Sequence, residues 1–235
     1  MKRLGVFAKY WEPGQVKTRL AADLDADMAA AFDAELAAEL HRLMLATTLR
    51  RLSTLDAERT FAYWPPKRQA EMADLAGDDW HLLPQGDGDL GERMASFFAE
   101  MFAQSRGPVV LLGSDSPTLP LHYVVSAFAA LQRVPVAIGP SDDGGYYLLG
   151  LAEMVPDVFA DIDWSTPQVL AQTQSRLQTT GREFELLPAW YDVDDMQGLE
   201  RLMGEVFEYA TLNPEADHPW CRLAAQIKKL FDVDH

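Results

Sequence analysis

The stretch GSDSPTLP, residues 113–120, directly follows an apolar run at residues 108–112 and places Asp115 just beyond that run. The apolar run predicts a buried strand, which the prolines of the following stretch end before the next helix. Ligands bind at the carboxyl ends of strands in open α/β sheets, and a carboxylate there suits a Mg²⁺ or Mn²⁺ ion that carries phosphates. Asp also caps turns before proline, so a structural role for Asp115 stays open at this point.

The length and composition indicate one folded domain. The chain has 235 residues, of which 48% are hydrophobic, and this is enough to bury a sizeable core. We therefore expect a single domain over residues 1–235, with residues 217–235 as a C-terminal helical tail. The amphipathic face of that tail packs either on the domain or in a homo-oligomer interface.

The charge and the cysteine content exclude several classes of protein. A net charge of −16 argues against nucleic-acid and anionic-membrane partners. The sequence has no apolar run near the ~20 residues that span a bilayer, and its first residues do not read as a secretory signal. A single cysteine, Cys221, allows neither an intrachain disulfide nor a cysteine zinc site. We expect a cytoplasmic protein without membrane insertion, in which an anionic ligand needs local cations or a metal ion.

Strand-like and helix-like segments alternate along the chain. This alternation predicts an α/β fold with a three-layer, mostly parallel sheet. The predicted strands are residues 4–8, 59–64, 80–83, 109–112, 135–138, 146–151 and 183–187. The predicted helices are residues 32–47, 68–75, 92–104, 121–132, 166–177 and about 195–208, followed by the tail.

The loop after the first strand, KYWEPGQVKTRL at residues 9–20, carries clustered cations. A glycine loop with Lys9, Gly14, Lys17 and Arg19 near a helix N-terminus can surround a polyphosphate, because backbone N–H groups donate and the cations neutralise charge. The glycine spacing and the ending differ from those of a Walker A loop. A plain surface loop with basic residues is the alternative.

A second candidate loop is GPSDDGGYYLLG at residues 139–150. Asp142 and Asp143 could bind metal or orient an acceptor, and Gly144 and Gly145 permit close backbone approach. The Asp-Gly pair also predicts a β-hairpin turn, and the two interpretations are compatible.

A third loop, QGDGDLGERM at residues 85–94, leads into a helix. Backbone at Gly88, Asp89 and Gly91 could hold a flat nucleotide base, with Gln85 or backbone groups reading its edge. A turn in which Asp89 caps the helix is the alternative.

The segment YDVDDMQGL at residues 191–199 offers a second metal ligand. Asp192 and Asp194 alternate on an extended piece and should point to opposite sides, so we expect only one to face the site. Asp194 is the candidate, with helix capping as the alternative. Trp164, in DIDWSTP at residues 161–167, is a candidate for a pocket rim.

The sequence motifs of two common kinds of enzyme are absent. A G-x-S-x-G nucleophile elbow is absent, and the scattered histidines form no nucleophile motif, which argues against acyl-enzyme chemistry. The first strand is not followed by G-x-G-x-x-G, which argues against a dinucleotide-binding Rossmann site.

Taken together and in order, these motifs resemble a bacterial family of glycosyltransferase-like proteins. The family is of the arsenosugar-biosynthesis and radical-SAM/selenodomain-associated transferase type. The matching stretches, from FAKYWEPGQVKTRL to YDVDD, run from Phe7 to about Leu202. The family resembles the nucleotide-diphospho-sugar transferase superfamily with its GT-A fold. It is also similar to phospholactate guanylyltransferases and molybdenum-cofactor nucleotidyltransferases.

The resemblance implies roles for residues that the loops already single out. It implies a metal, Mg²⁺ or Mn²⁺, at Asp115 and Asp194. It implies nucleotide phosphates near Lys9, Lys17 and Arg19, the base near Gly88, Asp89 and Gly91, and the acceptor near Asp142, Asp143, Gly144 and Gly145. We further expect Gly14 and Ser114 to bind the nucleotide, and Tyr146 and Trp164 to bind the acceptor. Asp142, Asp143 and Arg19 are then the catalytic candidates.

The sequence departs from the family pattern in two places. Glu12, within Tyr10-Trp11-Glu12, puts an acid inside the phosphate loop, and DVDDMQG replaces the usual DxDT-P-E-D ending.

The sequence therefore predicts a metal-dependent transferase that passes a group from a nucleotide-activated donor, a nucleotide sugar, to a small acceptor. Two alternatives stay open. One is a nucleotidyltransferase that releases pyrophosphate, and the other is a nucleotide-binding protein without catalysis.

Overall fold

The sheet order follows from the alternation of strands and helices along the chain. The computed structural model of the protein describes residues 1–22 and 33–231. Within them, seven strands form one sheet in the order β3-β2-β1-β4-β6-β5-β7. The strands are β1 (Arg3–Lys9), β2 (Glu58–Trp64), β3 (His81–Pro84), β4 (Val109–Leu112), β5 (Val136–Pro140), β6 (Tyr146–Leu151) and β7 (Phe184–Leu186).

One strand breaks the parallel pattern. The strands β1, β2, β3 and β4 pair in parallel, as do β5 and β7, whereas β6 is antiparallel to both β4 and β5. Because β6 runs the other way, its first residue, Tyr146, lies at the same edge of the sheet as the carboxyl ends of β1, β4 and β5.

Helices cover both faces of the sheet and complete three layers. They are α1 (Thr18–Ala22), α2 (Ala34–Leu52), α3 (Gln69–Ala76), α4 (Leu90–Gln104), α5 (Leu121–Ala130), α6 (Val169–Thr179), α7 (Met196–Leu212) and α8 (Pro219–Leu230). Two short 3₁₀ helices lie at Pro66–Arg68 and Pro156–Phe159. The predicted three-layer α/β fold is confirmed. Phe32, the first residue of the helix predicted over residues 32–47, lies outside the described residues.

Alternating side chains of the strands build the two main cores. Val110 and Leu112 of β4 pack with α2, α3 and α5, whereas Val109 and Leu111 pack with α4 and α6. This two-residue periodicity is the expected result for a strand buried on both faces. The strong packing holds the carboxyl end of β4, and hence the start of GSDSPTLP, in a fixed position.

The prediction that a helix begins at Thr166 is wrong by three residues, because α6 begins at Val169. Ser165 has a φ of +63°, which a helix does not accommodate. The Thr166 hydroxyl donates to the Asp163 carbonyl at 2.7 Å, so it forms a local turn instead of a cap.

The C-terminal tail packs within the chain. Leu223, Ala224 and Ile227 of α8 are buried against α2 and α7 in a third apolar cluster. Trp220 adds a contact with the Arg51 guanidinium, whose carbon lies 4.6 Å from the ring centroid. The homo-oligomer interface expected for this tail stays a prediction. In the described part of the chain no helix is long and apolar enough to cross a membrane.

Candidate active site

Two adjoining cavities lie at the carboxyl edge of the sheet, where the sequence places its candidate loops. The first, the polar cavity, has a volume of about 500 Å³. It is lined by Phe7, Ala8, Lys9, Gln15, Val16, Lys17, His41, Gln85, Gly88, Asp89, Leu90, Arg93, Ser114, Asp115, Ser165 and Asp194.

The second, the apolar cavity, has a volume of about 350 Å³. It is lined by Phe7, Arg19, Leu90, Met94, Leu111, Leu112, Gly113, Asp143, Gly145, Tyr146, Tyr147, Leu148, Leu149, Trp164, Ser165, Thr166, Pro167, Val169, Asp192 and Asp194. The two cavities share Phe7, Leu90, Ser165 and Asp194, so a ligand in one can reach a ligand in the other.

The polar cavity centres on a buried lysine. The Lys17 ammonium donates to Oδ1 of Asp115 and, at 2.9 Å, to Oδ1 of Asp194. Only 2% of the lysine side chain is exposed, compared with 35% for Asp115 and 41% for Asp194. Lys17 also has a φ of +52°, a conformation that non-glycine residues seldom adopt and that clusters at functional sites. The structure therefore brings Lys17 together with Asp115 and Asp194, which lie 98 and 177 positions further along the chain.

The electrostatics favour the charged forms of Lys17 and Asp115. Burial alone would lower the pKa of Lys17, but the two carboxylates outweigh this effect and raise it. Burial likewise would raise the pKa of Asp115, but the Lys17 ammonium, with contributions from His41 and Ser114, outweighs burial and holds that pKa below its usual value. Two carboxylates thus converge on one cationic position.

This convergence fits a divalent ion as well as an ammonium. Asp115 and Asp194 both direct an oxygen at the point that Lys17 occupies, and oxygen ligands are those that Mg²⁺ and Mn²⁺ prefer. The described residues contain no group of three or more His, Cys, Asp or Glu side chains arranged to hold a metal. A metal here would take its remaining ligands from phosphates and water, which is the usual mode for Mg²⁺ at nucleotide sites.

Local backbone geometry explains how Asp194 reaches Asp115. The Val193 N–H donates to the Asp115 carbonyl at 2.9 Å, which anchors the segment before α7 beside the end of β4. Asp195 caps α7 by accepting from the Gly198 N–H at 2.8 Å. The third aspartate of the altered DVDD motif, Asp195, therefore takes the capping role, and Asp194 is left to contact Lys17.

Asp192 occupies a position that the alternation argument did not anticipate. Its carboxylate accepts from the hydroxyls of Ser116 and Ser141 at 2.5 Å each. It lines the apolar cavity together with Asp194, so the expectation that only one of the two faces the site is wrong. The expectation misapplied the alternation, because residues i and i+2 of an extended segment lie on the same side. Burial alternates accordingly, with Tyr191 and Val193 buried and Asp192 and Asp194 partly exposed. Burial, with a smaller contribution from Asp115, raises the pKa of Asp192 to about 6.

The predicted hairpin forms between β5 and β6. The Ser141 N–H donates to the Gly145 carbonyl at 3.1 Å, and Gly144 has a φ of +88° with its backbone against Pro167. Asp143 accepts from the Gly145 N–H at 2.9 Å and lines the apolar cavity. Asp142 is exposed and lines neither cavity, so the structure does not bring this catalytic candidate to the site.

The start of α4 is built as a capped helix. Asp89 accepts from the Glu92 N–H, and the Glu92 carboxylate accepts from the Asp89 N–H, which forms a capping box. Gly88, with a φ of +100°, lines the polar cavity beside it. The amide nitrogen of Gln85 donates to the carbonyls of Ala8 and Ala62, so it is not free to read a base edge as expected.

Gly91 has a different position from the one expected for a nucleotide contact. A Cβ atom here would lie 2.0 Å from Nε1 of Trp164, so the missing side chain lets the indole pack against α4. Trp164 and Tyr146 meet edge to face at 6.4 Å between centroids and form a wall of the apolar cavity. Trp164, predicted at a pocket rim, and Tyr146 thus line the same cavity, and their role in acceptor binding stays a prediction.

The residues of the phosphate loop divide between the cavities. Lys9 and Lys17 line the polar cavity, whereas Arg19 lines the apolar cavity. Gly14 has a φ of +76° and lines neither. Glu12, the unexpected acid, pairs with Arg68 at 2.8 Å and does not line either cavity.

Two residues of the polar cavity were missed by sequence reasoning. His41 of α2 is buried, with Nδ1 3.8 Å from Asp115 and Nε2 3.3 Å from the Lys9 carbonyl. Burial lowers its pKa, and this keeps the ring neutral at pH 7. Arg93 of α4 donates to the Gly88 carbonyl at 2.9 Å and lies over the Trp64 ring. His41 lies among the buried positions of α2, so its place in the sequence does not distinguish it from a core residue. Arg93 lies in QGDGDLGERM at residues 85–94, but the sequence analysis did not consider its positive charge.

With this geometry established, comparison with known proteins identifies the family. A family profile described as uncharacterized proteins conserved in bacteria, DUF2064, matches residues 47–166. The chain belongs to the DUF2064 family. The matched part contains Asp115, the hairpin and Trp164, but not Lys17 or Asp194. No curated protein matches the chain.

A solved structure extends the similarity to the whole chain. It is a protein of Desulfovibrio desulfuricans G20, described as a candidate nucleotide-diphospho-sugar transferase, with 31% identity and a TM-score of 0.77. The alignment covers 98% of this chain and 96% of that one. This DUF2064 protein therefore shares its fold over the full length of that chain.

Two more distant structures share the fold alone. A CMP:2-keto-3-deoxy-manno-octonic acid synthetase complexed with CTP has 14% identity and a TM-score of 0.57, covering 88% of this chain and 99% of that one. The inositol-1-phosphate CTP transferase of T. maritima has 16% identity and a TM-score of 0.53, covering 97% of both chains. The predicted fold of the nucleotide-diphospho-sugar transferase and nucleotidyltransferase group is confirmed.

Proposed function

We propose that this protein is a metal-dependent transferase that moves a sugar from a nucleotide-sugar donor to a small acceptor. The observation that carries the proposal is the convergence of Asp115 and Asp194 on one cationic position within a cavity that further cations line. Such a site neutralises a diphosphate from both sides, which a protein with a net charge of −16 otherwise cannot do. The arsenosugar and radical-SAM-associated subtype implied by the sequence motifs is part of this proposal.

The polar cavity would hold the nucleotide. Lys9, Lys17 and Arg93 supply positive charge to the phosphates. The base would lie toward Gly88 and Asp89, at the capped start of α4. Asp115 and Asp194 would hold Mg²⁺ or Mn²⁺, which when bound neutralises charge on the leaving phosphate.

In this reaction the acceptor hydroxyl oxygen forms a bond to the anomeric carbon of the donor sugar. The bond from that carbon to the donor phosphate oxygen breaks, and the nucleoside diphosphate leaves with the bonding electrons. The hydroxyl proton passes to a carboxylate, for which Asp143 on the wall of the apolar cavity is the candidate. Lys17 and Arg19 would stabilise the negative charge that develops on the leaving group.

Thermal stabilisation tests the donor first. The protein is heated with a panel of nucleoside triphosphates and nucleotide sugars, each with and without Mn²⁺, and a ligand that binds the folded state raises the Tm. We expect a metal-dependent rise with one nucleotide sugar. If nothing on the panel shifts the Tm, the phosphate assignment of Lys9 and Lys17 is wrong. A metal-dependent rise without turnover on any acceptor would instead support nucleotide binding without catalysis.

Nucleotidyl transfer is the second candidate. The cations of the polar cavity favour it, because Lys9, Lys17 and Arg93 suit a triphosphate as well as a diphosphate. Here an acceptor phosphate oxygen would attack the α-phosphorus, and pyrophosphate would leave. Product analysis separates the two reactions, since only this one releases pyrophosphate and consumes a nucleoside triphosphate.

The position of Glu12 weakens the alternative of a nucleotide-binding protein without catalysis. The acid at Glu12 suggested a degraded phosphate loop, but its carboxylate is neutralised by Arg68 outside both cavities. The surface pair is solvent-exposed and does not affect the charge at Lys17.

A further inference from the structure

The apolar cavity has walls that an aqueous sugar-phosphate site would not need. Trp164 and Tyr146 form one wall, and Phe7, Leu90 and Met94 contribute further apolar surface. Leu90 is 42% exposed although it is a large hydrophobic residue at the rim of a cavity. Small-molecule sites are mostly apolar with a few convergent polar groups, and their volumes run from ~300 to 1,000 Å³. A cavity of about 350 Å³ is therefore large enough for one small molecule.

The aromatic wall is held in place from several sides. Gly91 leaves room for the indole of Trp164, and Tyr146 meets that indole edge to face. The next residue, Ser165, has a φ of +63°, so the backbone carries a strained conformation where it lines both cavities. A wall fixed in this way is preorganised for a flat or aliphatic ligand.

The charge of this cavity is opposite to what an anionic ligand requires. Three carboxylates line it, those of Asp143, Asp192 and Asp194, against one cation among the described residues, Arg19. The polar cavity, by contrast, balances its acids with Lys9, Lys17 and Arg93. A phosphate in the apolar cavity would meet more acidic than basic side chains, whereas a hydroxyl or an ammonium could hydrogen-bond to the carboxylates.

We infer that the acceptor is an uncharged or cationic small molecule with an aromatic or aliphatic body that packs on Trp164 and Leu90. Its hydroxyl faces the carboxylates at the boundary of the two cavities. The role of this ligand as an acceptor rests on the proposed function, whereas the binding preference of the cavity does not depend on it. An acceptor of this class cannot be a phosphate ester, so the inference also favours sugar transfer over nucleotidyl transfer to a phosphate.

The test uses three probes of similar shape and different charge. They are 2-phenylethanol, 2-phenylethylamine and phenyl phosphate, each titrated into the protein and followed by ligand-observed NMR. We expect the alcohol and the amine to bind, and phenyl phosphate not to displace the bound alcohol. The Trp164→Leu variant should weaken binding of the alcohol and the amine at least tenfold, since it removes the aromatic wall.

A matched pair of leucines supplies the control. Leu90→Ala should weaken binding of 2-phenylethanol about threefold, whereas Leu186→Ala should leave it unchanged. Both leucines are similarly exposed, at 42% and 45%, but Leu186 lines neither cavity. Equal losses in the two variants, or binding that does not depend on Trp164, would overturn the inference.

The remaining outcomes separate this inference from the proposed function. Displacement of 2-phenylethanol by phenyl phosphate would overturn the acceptor class even if nucleotide sugars raise the Tm. If Trp164→Leu weakens the best nucleotide sugar much more than its nucleoside diphosphate, the cavity holds the donor sugar, and the inference is wrong. If the probes bind as expected and no nucleotide binds, the ligand preference stands and the transferase proposal falls.

Discussion

The two cavities differ in how their chemistry is built, although they share Phe7, Leu90, Ser165 and Asp194. The polar cavity draws charged side chains from the loops that follow the parallel strands β1 and β4. The apolar cavity draws its wall from Tyr146 at the start of the antiparallel strand β6. Reversing one strand thus places an apolar surface beside a charged one at a single edge of the sheet.

The two sides of this edge are also held by different kinds of contact. The charged side is supported by interactions that span the chain, such as the contact of Lys17 with Asp194. The apolar side is supported by close packing, such as the contact of Gly91 with Trp164. Substitutions should therefore affect the two sides separately.

The largest effect is expected for Asp115→Asn. This variant keeps the size of the side chain but removes half of the carboxylate pair that faces the cationic position. Turnover with the donor that the Tm panel identifies should fall at least ~100-fold, the size of loss seen for one electrostatic anchor. Steady-state kinetics measures this, with Asp78→Asn, an exposed acid far from both cavities, as the control. Near-normal turnover would remove Asp115 from the mechanism.

The next effect concerns the stability of the polar cavity. Lys17→Met leaves two carboxylates without their cation, and breaking a fully buried ion pair costs ~3–5 kcal/mol. Because Asp115 and Asp194 are 35% and 41% exposed, water screens them, and we expect a loss of about 2 kcal/mol in the free energy of unfolding. Urea denaturation measures it.

Addition of Mg²⁺ sharpens this result. The variant should gain more stability from Mg²⁺ than the native protein, because the cationic position is no longer taken by the ammonium. Lys9→Met, which removes an exposed cation, is the matched control and should show neither effect. A Mg²⁺ response no larger than that of the native protein would count against Asp115 and Asp194 as metal ligands.

A pH titration examines the carboxylate at the back of the apolar cavity. Burial raises the pKa of Asp192 to about 6, above the value of ~3.9 in an unfolded chain. Between about pH 4 and pH 6 the folded protein therefore holds a proton that the unfolded chain has released, and this residue makes the free energy of unfolding fall as pH rises. Asp192→Asn should remove that decrease.

The whole pKa difference corresponds to about 3 kcal/mol, at ~1.4 kcal/mol for each unit, and about 2 kcal/mol of this falls between pH 4 and pH 7. The stability of Asp192→Asn relative to the native protein should therefore rise by this amount between pH 4 and pH 7. Urea denaturation of both proteins across this range measures it, and effects of other groups such as His41 cancel in the difference. Parallel pH curves for the two proteins would show that Asp192 titrates normally.

The smallest effect is expected for Gly91→Ala, which targets the apolar wall. Alanine favours a helix over glycine by about 1 kcal/mol, but here its Cβ would lie 2.0 Å from Nε1 of Trp164. Displacement of the indole should weaken 2-phenylethanol binding about tenfold and change nucleotide affinity by less than twofold. Isothermal titration of both ligands measures the two constants. A larger loss for the nucleotide would restore the original assignment of Gly91 to the nucleotide site.

Much of the fold could be predicted from the sequence because its signals are local. Apolar runs such as residues 109–112 mark strands, and the Asp-Gly pair at Asp143 marks the hairpin turn. The start of α6 could not be predicted, because Thr166 forms a turn with Asp163 instead of the helix cap that its type suggests.

The site was harder to predict because its contacts join distant segments. Asp115 stands out by its place after a strand and Asp194 by its place just before a helix, but nothing near His41 in sequence shows that its ring faces Asp115. The serine partners of Asp192 are also out of reach for local reasoning, since they lie 76 and 51 residues away. Side chains that meet only through tertiary packing leave no local pattern.

The carboxylate of Asp192 has a consequence for the order in which the molecule is made. It joins Ser116, beyond β4, to Ser141, at the hairpin, and both serines leave the ribosome well before it does. A nascent chain that ends before residue 192 can pair β1, β2, β3 and β4, but its two loops lack the group that ties them together. The site is therefore completed only after the segment that carries both Asp192 and Asp194 has been made.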